Sequence, residues 1–133
     1  MTHLLDTNSC VEHLRGGQAS NITARLGAAV PGGVVLCSVV VAELLYGAHR
    51  SARKQQTLSQ VQVFCRQFQS LPFDDWAADE YGRIRAQLAG LGMLIGPNDL
   101  LIASIALANG LTLVTHNTRE FNRVPGLKLE DWQ

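Results

Sequence analysis

The stretch Val34-Val35-Leu36-Cys37-Ser38-Val39-Val40-Val41-Ala42-Glu43-Leu44-Leu45 decides the fold. Its first four residues form a run without polar interruption, the mark of a strand buried on both faces in a parallel sheet. Ser38 is a good helix N-cap. From Val39 to about His49 the chain then reads as a helix that is apolar nearly all round. Working outward, the same alternation of short apolar runs and longer periodic segments continues, which argues for α/β architecture. Strands are expected at about 3–5, 34–37, 69–71, 111–114 and 127–129. Further helices are expected over about 8–14, 23–30, 56–67, 74–91 and 99–109. In the long one, Trp76, Tyr81, Ile84 and Leu88 should face inward. The expected fold is α/β: a three-layer α/β/α sandwich with a small, mostly parallel central sheet, in a single domain over residues 1–133.

Composition narrows the function. At 133 residues, 47% hydrophobic and a mean hydropathy of +0.08, the chain has a real core and is not disordered. Eleven Lys and Arg balance eleven Asp and Glu, so bulk charge cannot hold nucleic acid and any phosphate-binding face is local. Charged residues are only 17%, which suggests that a partner covers some apolar surface. Cys10, Cys37 and Cys65 form no Cys-x-x-Cys and read as small buried hydrophobes of a reducing compartment. Neither a signal peptide nor a membrane span is legible, and the expected address is the cytoplasm.

Three acids sit where apolar residues belong. Asp6 follows the first strand in Leu4-Leu5-Asp6-Thr7-Asn8, Glu43 lies inside an apolar helix, and Asp99 opens Asp99-Leu100-Leu101-Ile102-Ala103. In an open parallel sheet the ligand crevice lies outside the carboxyl ends of the strands, where Asp6 stands and the other two can reach. Each has a plainer explanation: Asp6 and Asp99 as helix caps, Glu43 as the partner of a buried Arg15, Arg25 or Arg85. Their conjunction is harder to explain away. At ~4 Å each pair would repel by about 4 kcal/mol at an effective dielectric near 20. Such a cluster needs a cation or raised pKa values. An all-oxygen ligand set favours a hard ion, Mg²⁺ or Mn²⁺, and hence phosphate-ester chemistry.

A second polar knot, Thr115-His116-Asn117-Thr118-Arg119-Glu120-Phe121, follows the strand at 111–114. Asn117 or Glu120 can supply a fourth ligand or orient a water, and the plain alternative is a capped turn. Thr7, Asn8, Ser38 and Thr115 are candidate donors behind the acids. Arg50, Arg53 and Lys54, with Arg119 and Arg123, can track a phosphate backbone toward them, or can be ordinary solvated charge.

In order and over essentially the whole chain, these segments resemble the VapC-type toxins among PIN-domain ribonucleases. They are Leu4 to Asn8, Ser38 through Glu43 to Tyr46-Gly47, Ile95-Gly96-Pro97-Asn98-Asp99 to Ala103, Leu113 to Phe121, and Gly126 to Trp132. The resemblance implies a Mg²⁺- or Mn²⁺-dependent endoribonuclease, the toxin of a type II toxin–antitoxin pair, with structured tRNA as the expected substrate. It implies that Asp6, Glu43 and Asp99 carry the acidic cluster, with Asp6 and Asp99 on the metal. It implies a homodimer inhibited by a small VapB-like antitoxin, and a complex with that antitoxin on operator DNA. Many members carry Asp where this chain has Asn117, and the lost charge weakens the case for a second tightly held ion. Two rivals remain from the residues alone. One is a phosphatase or phospho-accepting receiver, disfavoured because no second Asp stands beside Asp6 and no Lys closely follows the strand at 111–114, Lys128 being the only later one. The other is a non-catalytic PIN-like module acting on operator DNA within a toxin–antitoxin complex.

Overall fold

The computed structural model describes all residues, Met1–Gln133. Five strands form one sheet in the order β3-β2-β1-β4-β5. They are β1 (His3–Leu5), β2 (Val34–Cys37), β3 (Ser70–Leu71), β4 (Thr112–Val114) and β5 (Leu129–Glu130). Every pairing is parallel, so the expected mostly parallel sheet is entirely so. The helices are α1 (Thr7–Gly16), α2 (Asn21–Ala28), α3 (Ser38–Arg50), α4 (Lys54–Cys65), α5 (Asp75–Gly90), α6 (Pro97–Ala108) and the single turn α7 (Thr118–Phe121).

All four residues of β2 are buried, which is why it reads as a continuous apolar run, and Leu4 and Leu5 of β1 and Leu113 and Val114 of β4 are buried with it. The chain winds from β1 outward to β3, then returns to lay β4 on the other side of β1. The strand order therefore reverses between β1 and β4, and a crevice opens at their carboxyl ends. No helix is long and apolar enough to cross a membrane.

Several expected boundaries move, each for a local reason. Helix α2 starts two residues early because the Ser20 hydroxyl accepts from the Ile22 N–H at 3.2 Å. Ser38 is the first residue of α3 rather than its cap, and Cys37 holds the cap position without a side-chain bond. Helix α6 begins at Pro97, whose missing N–H costs nothing in a first turn. The last strand pairs Leu129 and Glu130 rather than 127–129, because Leu113 and Val114 set its register. Trp76 does not face inward. Ile84 and Leu88 are buried as expected and Tyr81 is half-buried, but at the start of α5 the stripe passes through Ala77 and leaves Trp76 79% exposed.

Candidate active site

Asp6 stands at the end of β1, where its N–H still donates to the Val114 carbonyl across the β1–β4 seam at 3.0 Å. It caps α1: its Oδ1 accepts the Ser9 N–H at 2.8 Å, and the Ser9 hydroxyl donates to the same Val114 carbonyl at 3.2 Å. The capping explanation is therefore true, yet incomplete. Asp6 is buried, only one of its two oxygens is used by the cap, and no cation pairs with it.

Glu43 comes from α3, one turn into the helix leaving β2. The Thr7 hydroxyl donates to its Oε1 at 2.6 Å, tying α3 to the first residue of α1. None of the arginines weighed as its partner forms an ion pair with it. Arg25 binds Glu130, and Arg85 donates to the Tyr81 hydroxyl at 2.6 Å. Arg15 shares a groove with Glu43 without an ion pair.

Asp99, the third residue of α6, makes no cap; Gly96 occupies that position. Its carboxyl is pushed up to about 7, first by burial and then by the charges of Glu120, Glu43 and Asp6. This coupling places all four acids in one electrostatic neighbourhood. The nearness of the two carboxyls raises Asp99 and helps to lower Glu120.

Glu120, from the turn α7, is held below the ordinary carboxylate range. The Gly96 N–H donates to it at 2.7 Å and is the largest cause; the Asn117 carboxamide donates at 2.6 Å, and Arg123 attracts it from farther off. A methyl group at Gly96 would stand 3.5 Å from Asp99 Oδ2 and 3.6 Å from Glu120 Oε1. The polar knot after β4 is thus partly a capped turn and partly a clamp. Buried Thr115 accepts the Asn117 N–H at 3.0 Å, and Asn117 in turn orients Glu120.

The other sequence candidates lie around this centre. Asn8 and Ser38 are exposed and outside the hydrogen bonds that tie the acids together. Arg50 folds back on Tyr46, its guanidinium 5.3 Å from the ring centroid, while Arg53 and Lys54 are exposed at the start of α4. Arg119 is exposed, and Arg123 donates to the Leu94 carbonyl at 3.2 Å. His116 is exposed and bound to Asp131 at 2.9 Å.

The donor set is all oxygen and no cationic side chain neutralises it, which fits a hard divalent ion. No three acidic, histidine or cysteine side chains already converge on one point. The expected shared seat of Asp6, Glu43 and Asp99 is therefore not preformed, and a hard ion would have to complete its shell with water and phosphate oxygens.

Comparison with known proteins agrees with this geometry. The family model of the PIN domain matches residues 3–127. Ribonuclease VapC2 of Rickettsia felis is 39% identical over 132 residues, covering 99% of this chain and 98% of that protein. The chain belongs to the PIN-domain family, among its VapC ribonucleases. The tRNA(fMet)-specific endonuclease VapC of Shigella flexneri is 40% identical over 129 residues, 97% of this chain and 96% of that one. Among solved structures, DNA-bound VapBC from Salmonella typhimurium superposes with a TM-score of 0.94 at 36% identity, covering 100% of this chain and 99% of that one. VapBC2 from Rickettsia felis, bound to a promoter DNA fragment, gives 0.90 at 36% identity and covers 100% of both chains.

Within this PIN domain, sequence reasoning missed two supports. The Gly96 amide on Glu120 is a backbone donor and leaves no residue-type signal; the Gly-Pro pair opening α6 is the only hint. Ser9 was legible as the third residue after a capping Asp, but its bond to the Val114 carbonyl needed the β1–β4 pairing.

Proposed function

We propose that this chain is a divalent-metal-dependent endoribonuclease toxin that cleaves tRNA phosphodiesters. The observation that carries the reading is that Asp6, Glu43, Asp99 and Glu120 stand around the β1–β4 crevice, with Glu43 tied by Thr7 and Glu120 by the Gly96 amide, and none of the four has an ion-pair partner. Asp6 and Asp99 would hold a Mg²⁺ or Mn²⁺ ion, which supplies Lewis-acid polarisation of the scissile phosphate and a lowered pKa for the attacking water. Glu43, steadied through Oε1 by Thr7, accepts the proton of that water at its remaining oxygen. Glu120, steered by Asn117 and Gly96, holds Asp99 in place. In-line attack leaves a 5′-phosphate and a 3′-hydroxyl without using the ribose 2′-hydroxyl.

The relatives in Shigella and Salmonella are named for initiator tRNA at 40% and 38% identity, which makes that tRNA the first candidate substrate. The Salmonella and Rickettsia structures are toxin–antitoxin complexes on DNA, so a VapB-like antitoxin and operator DNA are the expected partners. The apolar groove beside Glu43, walled by Val11, Leu14, Leu44, Ala48 and Val61, would receive an antitoxin helix. A homodimer and a cytoplasmic location complete the reading.

The test is incubation of antitoxin-free protein with total RNA and Mg²⁺, with and without EDTA, followed by end-mapping. Cleavage that stops with EDTA and leaves 5′-phosphate ends is expected. Cleavage that survives EDTA, or 2′,3′-cyclic phosphate ends, would overturn it.

A further inference from the structure

A cleft of about 480 Å³ lies between α3 and α6, and Glu43 is among its lining residues. Its apolar walls are Val39, Ala42 and Leu101. Tyr46, one turn beyond Glu43 on α3, also lines it and is 63% exposed. A large aromatic ring left in water beside a cluster of acids needs an explanation, because the core of this chain does not use it. Arg50 stacks over that ring at 5.3 Å and donates to the Tyr46 hydroxyl at 3.4 Å, which steadies the ring and brings a positive charge to the cleft's rim. Ser38 and Asn98 add a hydroxyl and a carboxamide, both exposed and outside the network that ties the acids together.

We propose that this cleft is a nucleobase subsite, in which Tyr46 stacks on the base of a nucleotide flanking the scissile phosphate. The proposal rests on the ribonuclease reading and deepens it by naming what holds the strand. One α-helical turn rises about 5.4 Å, so Tyr46 stands about one nucleotide's reach from the water-activating Glu43. Aromatic stacking accepts any base, while Ser38 and Asn98 offer hydrogen bonds to a base edge and so a route to preference among bases. Arg50 answers the adjoining phosphate. A cleft of this size, apolar with a few polar groups, suits one planar ring system. A second copy of the chain would instead need a broad apolar face, and here the walls carry polar groups at two helix starts and a cation at the rim.

The experiment uses fluorescence anisotropy with an RNA oligonucleotide spanning a mapped cleavage site and the inactive Asp99→Asn chain as background. Tyr46→Ala is expected to weaken binding by about tenfold, the scale of one lost stacking contact, and Tyr46→Phe to restore it. Oligonucleotides carrying single abasic positions are then scanned. One position next to the cleaved bond should lose about tenfold with Tyr46 present and nothing further with Tyr46→Ala. If Asp99→Asn binds the RNA and Tyr46→Ala changes nothing, the subsite falls and the ribonuclease reading stands. If Tyr46→Ala converts a dimer into a monomer in sedimentation while every abasic oligonucleotide loses affinity equally, the face belongs to a second copy and the subsite falls. If neither the Asp99→Asn chain nor the wild-type chain with Mg²⁺ binds or cleaves the RNA, both readings fall together.

Discussion

Two regions of this molecule are built around carboxylates, and they treat them in opposite ways. At the β1–β4 crevice, Asp6, Glu43, Asp99 and Glu120 face one another's charge without an ion pair, and Asp99 is pushed up to about 7. At the chain's end, Glu130 is surrounded by donors. The Trp132 indole donates at 3.0 Å, His3 Nε2 stands at 3.0 Å, and Arg25 donates at 3.4 Å while stacking 4.9 Å over the Trp132 ring. Glu130 is held below the ordinary carboxylate range, first by Trp132 and then by His3. A satisfied carboxylate fastens the C-terminal segment to β1 and α2. An unsatisfied cluster costs stability and is tolerated where a ligand completes it.

The largest expected effect breaks the crevice. Asp99→Asn keeps volume but removes the charge, and cleavage should fall by about a thousandfold or more, the scale of losing metal-assisted catalysis. The same variant should melt higher than the wild type at pH 8 without metal, because three like charges no longer face a fourth. Full activity in Asp99→Asn, or a lower melting temperature, would contradict the account of this region.

The second effect breaks the other region. Trp132 is 5% exposed and carries both the Arg25 stack and an indole bond to Glu130. Trp132→Ala should cost about 3 kcal/mol in urea unfolding, near the low end for large aromatic truncations. Below its own melting range it should still cleave RNA. Loss of cleavage in a folded Trp132→Ala chain would show that the two regions are not separate.

The smallest effect sharpens the contrast through pH. Asp99 rises from an ordinary 3.8 to about 7, so the folded state binds more protons than the unfolded state between those values. Its contribution makes the metal-free protein less stable as pH climbs from about 4 to about 7, and flat beyond. Glu130 has the opposite sign: its stabilisation is present above the ordinary carboxylate range and is lost as pH falls through its lowered value. Melting curves against pH should therefore show the upper slope vanish in Asp99→Asn and the lower one shrink in Glu130→Gln. Added Mg²⁺ should offset the loss at pH 8. An unchanged upper slope in Asp99→Asn would assign it to another group.

The elements were legible where burial on both faces forces an unbroken apolar run, as in Val34–Cys37, and nearly so in Leu111–Val114, where only Thr112 interrupts. The acids were legible for the complementary reason: Glu43 interrupts a helix that has no other polar need at that point. Ile84 and Leu88 were legible as the buried face of α5, but its first turn was not, because Trp76 and Ala77 are adjacent and the packing against α6 decides which of them is covered. The fates of the arginines were not legible either. Arg25 and Arg123 settle on partners distant in the chain, Glu130 with Trp132 and the Leu94 carbonyl, whereas Arg50 and Arg85 fold onto Tyr46 and Tyr81 one helical turn before them.

The sequence by itself determined the alternation of strands and helices and the presence of acids too costly to bury without purpose. Both follow from hydrophobic patterning and from the price of desolvating charge, which are local properties of the chain. Only the tertiary structure decided that Gly96 and Asn117 clamp Glu120 beside Asp99, that Thr7 holds Glu43, and that Glu130 anchors the C-terminal segment. Hydrogen bonds and charge coupling act over a few ångströms between residues tens of positions apart. The order of the strands in the sheet, and not their order in the chain, sets which of those residues meet.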